Sequence, residues 1–98
     1  MTMRYVREFK GFAGIRLQSD DIGTADDPSI ILLHGFGQTR KVWEDVALGL
    51  EQAGRHVINV DLRGHGGSDW PTDGRYGFDA YVEDLRAVRT LLKQSRNE

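Results

Sequence analysis

Runs of apolar residues predict four β-strands in the first two thirds of the chain. Apolar positions interrupted by glycines predict an antiparallel hairpin of strands at about residues 4–9 and 15–19. Two later runs, at about residues 29–33 and 56–61, are short, continuous and rich in Ile and Val. Such runs are typical of strands that are buried on both faces of a parallel sheet. The polar stretch between the second and third strands predicts a turn.

Helical spacing of apolar residues predicts two helices, at about residues 40–53 and 79–93, with Thr39 and Asp79 as candidate N-caps. The apolar stripe of the first consists of Trp43, Val46, Ala47 and Leu50. The stripe of the second consists of Tyr81, Val82, Leu85, Val88 and Leu92. The order strand, strand, strand, helix, strand, helix predicts an α/β fold. It has an antiparallel hairpin, then β-α-β-α with a mostly parallel sheet, and its crossover is right-handed.

Composition narrows the class of protein. The chain has 98 residues, enough for one domain, and its 13 basic and 15 acidic residues exclude a strongly basic nucleic-acid binder. The absence of cysteine excludes disulfides, thiolate metal sites and a cysteine nucleophile. No apolar run approaches the ~20 residues of a membrane helix, and the start does not resemble a signal peptide. We therefore expect a soluble, cytoplasmic protein with no membrane partner.

The first motif with chemical content is the turn His34-Gly35-Phe36-Gly37, which lies between a buried strand and a helix. Loops at the carboxyl end of an α/β sheet are where such folds bind ligands. The two glycines allow the backbone to approach a substrate closely. The Phe36 N–H is therefore a candidate donor to an oxyanion. A glycine-rich turn of this kind is also needed in any α/β protein, so the motif alone leaves a purely structural role open.

Cofactor and metal motifs are absent from the sequence. Gly35 and Gly37 begin the dinucleotide pattern G-x-G-x-x-G, but its third glycine is replaced by Arg40. No P-loop motif occurs, and the three histidines do not have the spacing of a helical metal pair. We therefore expect no cofactor and no metal ion, and a nucleotide-binding domain is the weakest alternative.

The second motif is the glycine-rich loop over residues 61–71, and it has two interpretations. In the structural one, Arg63, His65 and Asp69 form hydrogen bonds that hold the loop. In the catalytic one, His65 or Ser68 takes part in chemistry. The sequence around Ser68 does not fit the nucleophile elbow G-x-S-x-G, because the second glycine is missing. The structural interpretation is therefore favoured.

Together, the two motifs in this order resemble the α/β-hydrolase superfamily, with esterases and epoxide hydrolases most similar. The resemblance covers about residues 15–92. It implies that the first turn follows the third strand and that the Phe36 N–H belongs to an oxyanion hole. His34, Gly35 and Gly37 would shape this turn and, with Phe36, bind substrate. The second loop would be structural, held by Asp61, Arg63, Gly64, His65, Gly66 and Ser68.

The resemblance also implies what these 98 residues lack. In the family, a nucleophile is followed by an Asp or Glu and then by a His. The chain contains no G-x-S-x-G, no G-x-D-x-x-G and no late histidine. We therefore expect a single partial domain, the N-terminal part of the fold truncated before the nucleophile strand and catalytically incomplete alone. Whether the nucleophile of the missing part is Ser, for esters, Asp, for epoxides and haloalkanes, or Cys stays open.

A second hypothesis follows from the same expectation. In this fold the fifth strand pairs beside the third, so without it residues Ile30 to Leu33 would form an open apolar edge. Open edges are sites of pairing with other chains. The alternative function is thus a non-catalytic remnant or interaction module that self-associates through this edge.

Overall fold

The computed structural model describes residues 4–74 and 76–95. Its strands are β1 (Arg4–Lys10), β2 (Arg16–Ile22), β3 (Ser29–Leu33) and β4 (His56–Val60). Its helices are α1 (Glu44–Gln52) and α2 (Phe78–Ser95), with short 3₁₀ turns at Phe12–Gly14 and Arg40–Trp43. The four strands form one mixed sheet in the order β1-β2-β4-β3. Only the β3–β4 pair is parallel, and the other two pairs are antiparallel.

The largest differences from the predicted boundaries are at the end of β2 and at the start of α1. Helix α2 begins at Phe78, so Asp79 lies in its first turn and is not its N-cap. Strand β2 continues past Ser19 to Ile22, because it pairs with β4 at the register Ile22 opposite Val57. The polar residues at 20 and 21 had indicated a turn, yet they lie within the sheet. The predicted helix over 40–53 begins as a 3₁₀ turn, and Thr39 caps that turn by accepting a hydrogen bond from the Lys41 N–H.

The core has one layer on each face of the sheet. Consecutive strand residues point to opposite faces, so Val57 lies on one side of β4 and Ile58 on the other. Val57 packs with Ala47 of α1 on its side. The larger cluster, on the α2 side, consists of Phe9, Leu17, Ile58, Val60, Val88 and Leu92. The two helices therefore cover opposite faces, which is the arrangement of an α/β layer fold.

Helical spacing located the two apolar stripes but overstated the burial of some members. Ala47 is fully buried, whereas Val46 is 46% exposed because α1 presents only a narrow face to the sheet. Val88 and Leu92 are in the core, whereas Leu85 borders an open cavity. Among the described residues, neither helix is long and apolar enough to cross a membrane.

The two strands predicted to be buried on both faces differ in burial. All five residues of β4 are buried, because β2 and β3 flank it. Strand β3 is only partly buried, and its last residue, Leu33, is 39% exposed. Within the described parts of the chain, β3 pairs with β4 alone and so forms an edge of the sheet.

A chain of polar contacts at the amino-terminal end of β4 joins all four strands. His56 and Asp21 are both buried, and the His56 Nε2 lies 2.6 Å from the Asp21 Oδ1. The His56 Nδ1 lies 3.0 Å from the Ser29 Oγ, and the Arg7 guanidinium donates to the Asp21 Oδ2 at 3.0 Å. The arrangement supplies a charged partner and hydrogen bonds to a buried carboxylate, which would otherwise be costly to bury.

Replacing His56 with leucine is expected to lower the free energy of unfolding by about 1–3 kcal/mol, because Asp21 loses a donor while it stays buried. The milder change Ser29→Ala removes one contact to the His56 ring, and we expect a loss of about 1 kcal/mol. Urea denaturation followed by circular dichroism measures both. A His56→Leu protein as stable as the unsubstituted chain would contradict a stabilising role for this contact.

Candidate functional site

The two glycine-rich motifs meet at one end of the sheet. The turn 34–37 follows β3 directly, and the loop beginning at Asp61 follows β4 directly. Because β3 and β4 are parallel neighbours, both segments leave the sheet at its carboxyl end, where α/β folds bind ligands. His34 is buried beneath the turn, whereas the Phe36 side chain is 74% exposed.

His34 connects the first turn to the second loop. Its Nε2 accepts a hydrogen bond from the Leu62 N–H at 3.0 Å, so the ring proton must be on Nδ1 in the neutral imidazole. The Nδ1 then donates to the Gly35 carbonyl oxygen, 2.7 Å away. That carbonyl shares a planar peptide unit with the Phe36 N–H. Fixing the carbonyl therefore also fixes the direction of the Phe36 N–H.

His65 makes the corresponding connection from the second loop to the first turn. Its Nε2 accepts from the Gly37 N–H at 3.1 Å, and its Nδ1 lies 2.9 Å from the Arg63 carbonyl oxygen. The same tautomer argument places the proton on Nδ1. The His65 ring also packs against the rings of His34 and Phe36, at centroid distances of 5.0 and 6.1 Å.

The backbone amides of the turn differ in their hydrogen bonding. The Gly35 N–H donates to the Gln38 side-chain oxygen at 3.1 Å, and the Gly37 N–H donates to His65. Between them, the Phe36 N–H makes no hydrogen bond to any residue that the structure describes. Gly37 has a φ of 80°, a conformation that favours glycine. The turn thus has one available donor between two occupied ones.

An apolar cavity of about 220 Å³ adjoins the turn. Its wall includes Leu33 at the end of β3, Phe36, and Tyr81 and Leu85 of α2. The rings of Phe36 and Tyr81 meet edge-on, with centroids 5.2 Å apart. Burial raises the pKa of the Tyr81 phenol above its usual value, so this side chain is protonated at neutral pH. The cavity can therefore accept a small apolar group beside a neutral hydroxyl.

Asp61 organises the start of the second loop. Its carboxylate accepts from the Arg40 N–H at 2.6 Å, from the Arg40 guanidinium, and from the Gly67 N–H at 2.9 Å. The buried Ser68 hydroxyl donates to the Asp61 carbonyl oxygen at 2.6 Å and accepts from the Gln18 N–H at 2.9 Å. The Ser68 hydroxyl is thus occupied by backbone contacts, in keeping with the structural interpretation of this loop.

Glycines complete the same loop. Gly66 has a φ of 51°, and a Cβ there would collide with the Asp61 carboxylate. Gly64 donates its N–H to the Asp69 carbonyl oxygen at 2.9 Å, and the Asp69 carboxylate accepts from the Arg16 N–H at 3.1 Å. The loop is therefore joined to β2 as well as to the first turn.

Arg63 extends from this loop to α2, a contact that the sequence did not indicate. Its Nε and Nη2 donate to the two carboxylate oxygens of Asp84 at 2.7 and 2.8 Å, and Nη2 also donates to the Phe12 carbonyl oxygen. The hydrogen bonds that it donates to Asp84 raise the pKa of the Arg63 guanidinium, and Arg63 is 1% exposed. Asp84 also accepts from the Phe12 N–H at 2.8 Å. The pair joins the loop, α2 and the β1–β2 turn.

The position of Asp84 in the sequence did indicate a buried carboxylate that needs a partner. It lies three residues after Tyr81 and four before Val88, within the apolar stripe of α2. A carboxylate on the buried face of a helix needs a charged partner. By contrast, no sequence feature indicated that Tyr81 contacts Phe36.

Within residues 4–74 and 76–95, no group of three acidic or histidine side chains is placed to hold a metal ion.

Comparisons with known proteins agree with this geometry. Residues 28–97 match the family model of the alpha/beta hydrolase fold. The chain is 43% identical over 61 residues to an esterase of Mycobacterium tuberculosis, covering 62% of this chain and 20% of that protein. It is 32% identical over 79 residues to a non-heme chloroperoxidase of Streptomyces lividans, covering 81% of this chain and 28% of that protein.

Solved structures of hydrolases are also similar to this chain. The crystal structure of epoxide hydrolase A from Mycobacterium thermoresistibile superimposes with a TM-score of 0.84 and 30% sequence identity. The match covers 92% of this chain and 28% of that one, so the chain spans under a third of its relative's length. It matches the N-terminal part of the fold, as the two glycine-rich motifs predicted. Its sheet, its paired loops and these matches show that the chain belongs to the α/β-hydrolase fold family.

Proposed function

We propose that this chain forms the N-terminal part of a hydrolase that acts on a small ester, epoxide or related substrate, and that the Phe36 N–H is an oxyanion-hole donor. The observation that carries the proposal is the unoccupied Phe36 N–H between two hydrogen-bonded amides, beside an apolar cavity. The esterase and epoxide hydrolase among its relatives support the substrate class.

The proposed chemistry depends on the Phe36 N–H as a donor to a developing negative charge. When a nucleophile adds to an acyl carbon, negative charge develops on the carbonyl oxygen, and a pre-positioned N–H stabilises it. The same donor serves esters directly and serves epoxides at the stage where an alkyl-enzyme ester is hydrolysed. His34 holds the donor through the Gly35 carbonyl, so little reorganisation accompanies the reaction. The nucleophile, acid and catalytic histidine would come from sequence outside these 98 residues.

An antibody against this segment tests the proposal in the source organism. The captured protein is measured by intact mass spectrometry and assayed with p-nitrophenyl acetate and styrene oxide. We expect a species of at least ~200–250 residues, the size of a whole α/β domain, with hydrolytic activity towards one of the two. A larger species that hydrolyses neither substrate, or an 11.1-kDa species alone, would contradict the proposal.

The free edge of β3 favours a second candidate function, self-association. The other edge strand, β1, carries charged residues at four of its seven positions, which discourages pairing with another chain. Strand β3 has the sequence SIILL and carries no charge. Two copies of the chain would pair these edges in a dimer, with β3 of one copy beside β3 of the other.

Replacing Leu33 with lysine is expected to prevent such pairing, because a charge at an open edge opposes strand addition. Leu33 is 39% exposed, so the lysine can be solvated in the monomer. Size-exclusion chromatography with light scattering measures the change from dimer to monomer. The control is Val46→Lys, at a 46% exposed position on α1 away from the edge, which should stay dimeric. An unsubstituted chain that is already monomeric would contradict edge pairing.

A further inference from the structure

We propose that His65 is a positioning residue for the oxyanion turn, acting on the peptide unit that follows Phe36. The inference rests on the proposed function only for the use of the Phe36 N–H. The histidine acts through Gly37, whose N–H donates to its Nε2 at 3.1 Å. It therefore acts on the position of the donor without itself touching a substrate.

The two histidines hold the peptide units on either side of the Phe36 Cα. The unit before it contains the Gly35 carbonyl and the Phe36 N–H, and His34 binds its oxygen. The unit after it contains the Phe36 carbonyl and the Gly37 N–H, and His65 binds its nitrogen. With both planes held, rotation about the two backbone bonds of Phe36 is restrained, and the direction of its N–H is set.

The arrangement is reciprocal between the two loops. The first turn contributes His34, which accepts from the Leu62 N–H of the second loop. The second loop contributes His65, which accepts from the Gly37 N–H of the first turn. Each histidine also has its Nδ1 against a carbonyl oxygen of its own segment, so each ring has a fixed tautomer and a fixed orientation.

The role of His65 depends on an acceptor at the Nε2 position. The Gly37 N–H has no other acceptor among the described residues, and Gly37 has a positive φ that a glycine can leave easily. Without the contact, the peptide after Phe36 is free to rotate, and the Phe36 backbone is held only from the side of His34. A side chain that keeps the ring but lacks the acceptor should therefore allow the peptide between Phe36 and Gly37 to rotate.

Nuclear magnetic resonance of the uniformly ¹⁵N-labelled 98-residue chain tests this without any substrate. We expect a scalar coupling across the hydrogen bond between the Gly37 amide nitrogen and the His65 Nε2, with the ring proton on Nδ1. This measurement needs no substitution, so it does not depend on the folding of a variant. Absence of the coupling, including in a chain that gives an unfolded spectrum, would overturn the proposal.

Two substitutions separate positioning from simple packing. His65→Phe keeps an aromatic ring and removes the acceptor, whereas His65→Gln places an amide oxygen near the former Nε2 position. We expect hydrogen exchange at the Gly37 amide to accelerate about fivefold in the first, with a shifted Phe36 amide resonance, and to be restored in the second. Equal exchange at Gly37 in all three proteins would overturn the proposal. These measurements do not involve turnover. A negative result would therefore not contradict the hydrolase proposal, and a negative result in the activity assay would not contradict the contact between His65 and Gly37.

Discussion

Replacing Arg63 with methionine is expected to lower the free energy of unfolding by about 3–5 kcal/mol, the cost of leaving a buried charge without its partner. Asp84 is 4% exposed and would keep its carboxylate inside the protein without its bidentate partner. A domain of this size has a total stability of ~5–15 kcal/mol, so the loss is a large fraction of the total. Urea denaturation monitored by tryptophan fluorescence and circular dichroism measures the loss.

The control for this prediction is the same substitution in an exposed ion pair on α2. Arg86 lies 3.6 Å from Glu83, and its side chain is 71% exposed. Surface pairs of this kind contribute about 0–1 kcal/mol, so Arg86→Met should be nearly neutral. If the two methionine variants have the same midpoint in urea, the buried pair does not stabilise the fold. The double variant Arg63→Met, Asp84→Leu should recover part of the loss, because it leaves no unpaired charge.

Replacing Phe36 with proline is expected to lower the rate of acylation by about 10²–10³-fold in the larger hydrolase that the proposed function requires. Proline has no N–H, so the change removes the donor itself. The measurement is the single-turnover acylation rate with a p-nitrophenyl ester or, if the nucleophile is a carboxylate, the rate at which the alkyl-enzyme ester formed from styrene oxide is hydrolysed, for which the same loss is expected. A thermal melt of each variant shows whether the fold is kept.

Phe36→Ala is the matched control, because it removes the ring and keeps the backbone N–H. The ring is 74% exposed and packs on Tyr81, so its loss should affect substrate binding more than the chemical step. We expect the alanine variant to keep its acylation rate within about tenfold and to show a higher KM. A folded proline variant that acylates as fast as the alanine variant would exclude the Phe36 N–H from the oxyanion hole.

Several features of the site were accessible from the sequence because they are local. The turn 34–37 follows its strand directly, and its two glycines are visible as a motif. The loop from Asp61 is recognisable in the same way, and the pair of motifs predicted the family that the comparisons show. The parallel pairing of β3 and β4 followed from the helix between them. That pairing brings both motifs to one end of the sheet.

Other features depended on partners far apart in the chain. The polar residues Asp20 and Asp21 resemble a turn, and only their sheet partners in β4 and the basic side chains beside them show that β2 continues. Likewise, the sequence indicated that Arg63 is structural but not that it contacts Asp84, 21 residues away. Such contacts require the sheet to be formed first.

The sequence by itself therefore determined the fold class, the family and the two glycine-rich segments, since strand, turn and helix signals are short-range. The tertiary structure decided which backbone amide is available and which side chains hold it. His65 and Gly37 are 28 residues apart, and no local pattern relates them. The parallel strands bring them within 3.1 Å, and that contact leaves Phe36 as the only N–H of residues 35–37 without a partner among the described residues. Hydrogen-bond distances of this kind are set by packing, which no single segment of sequence contains.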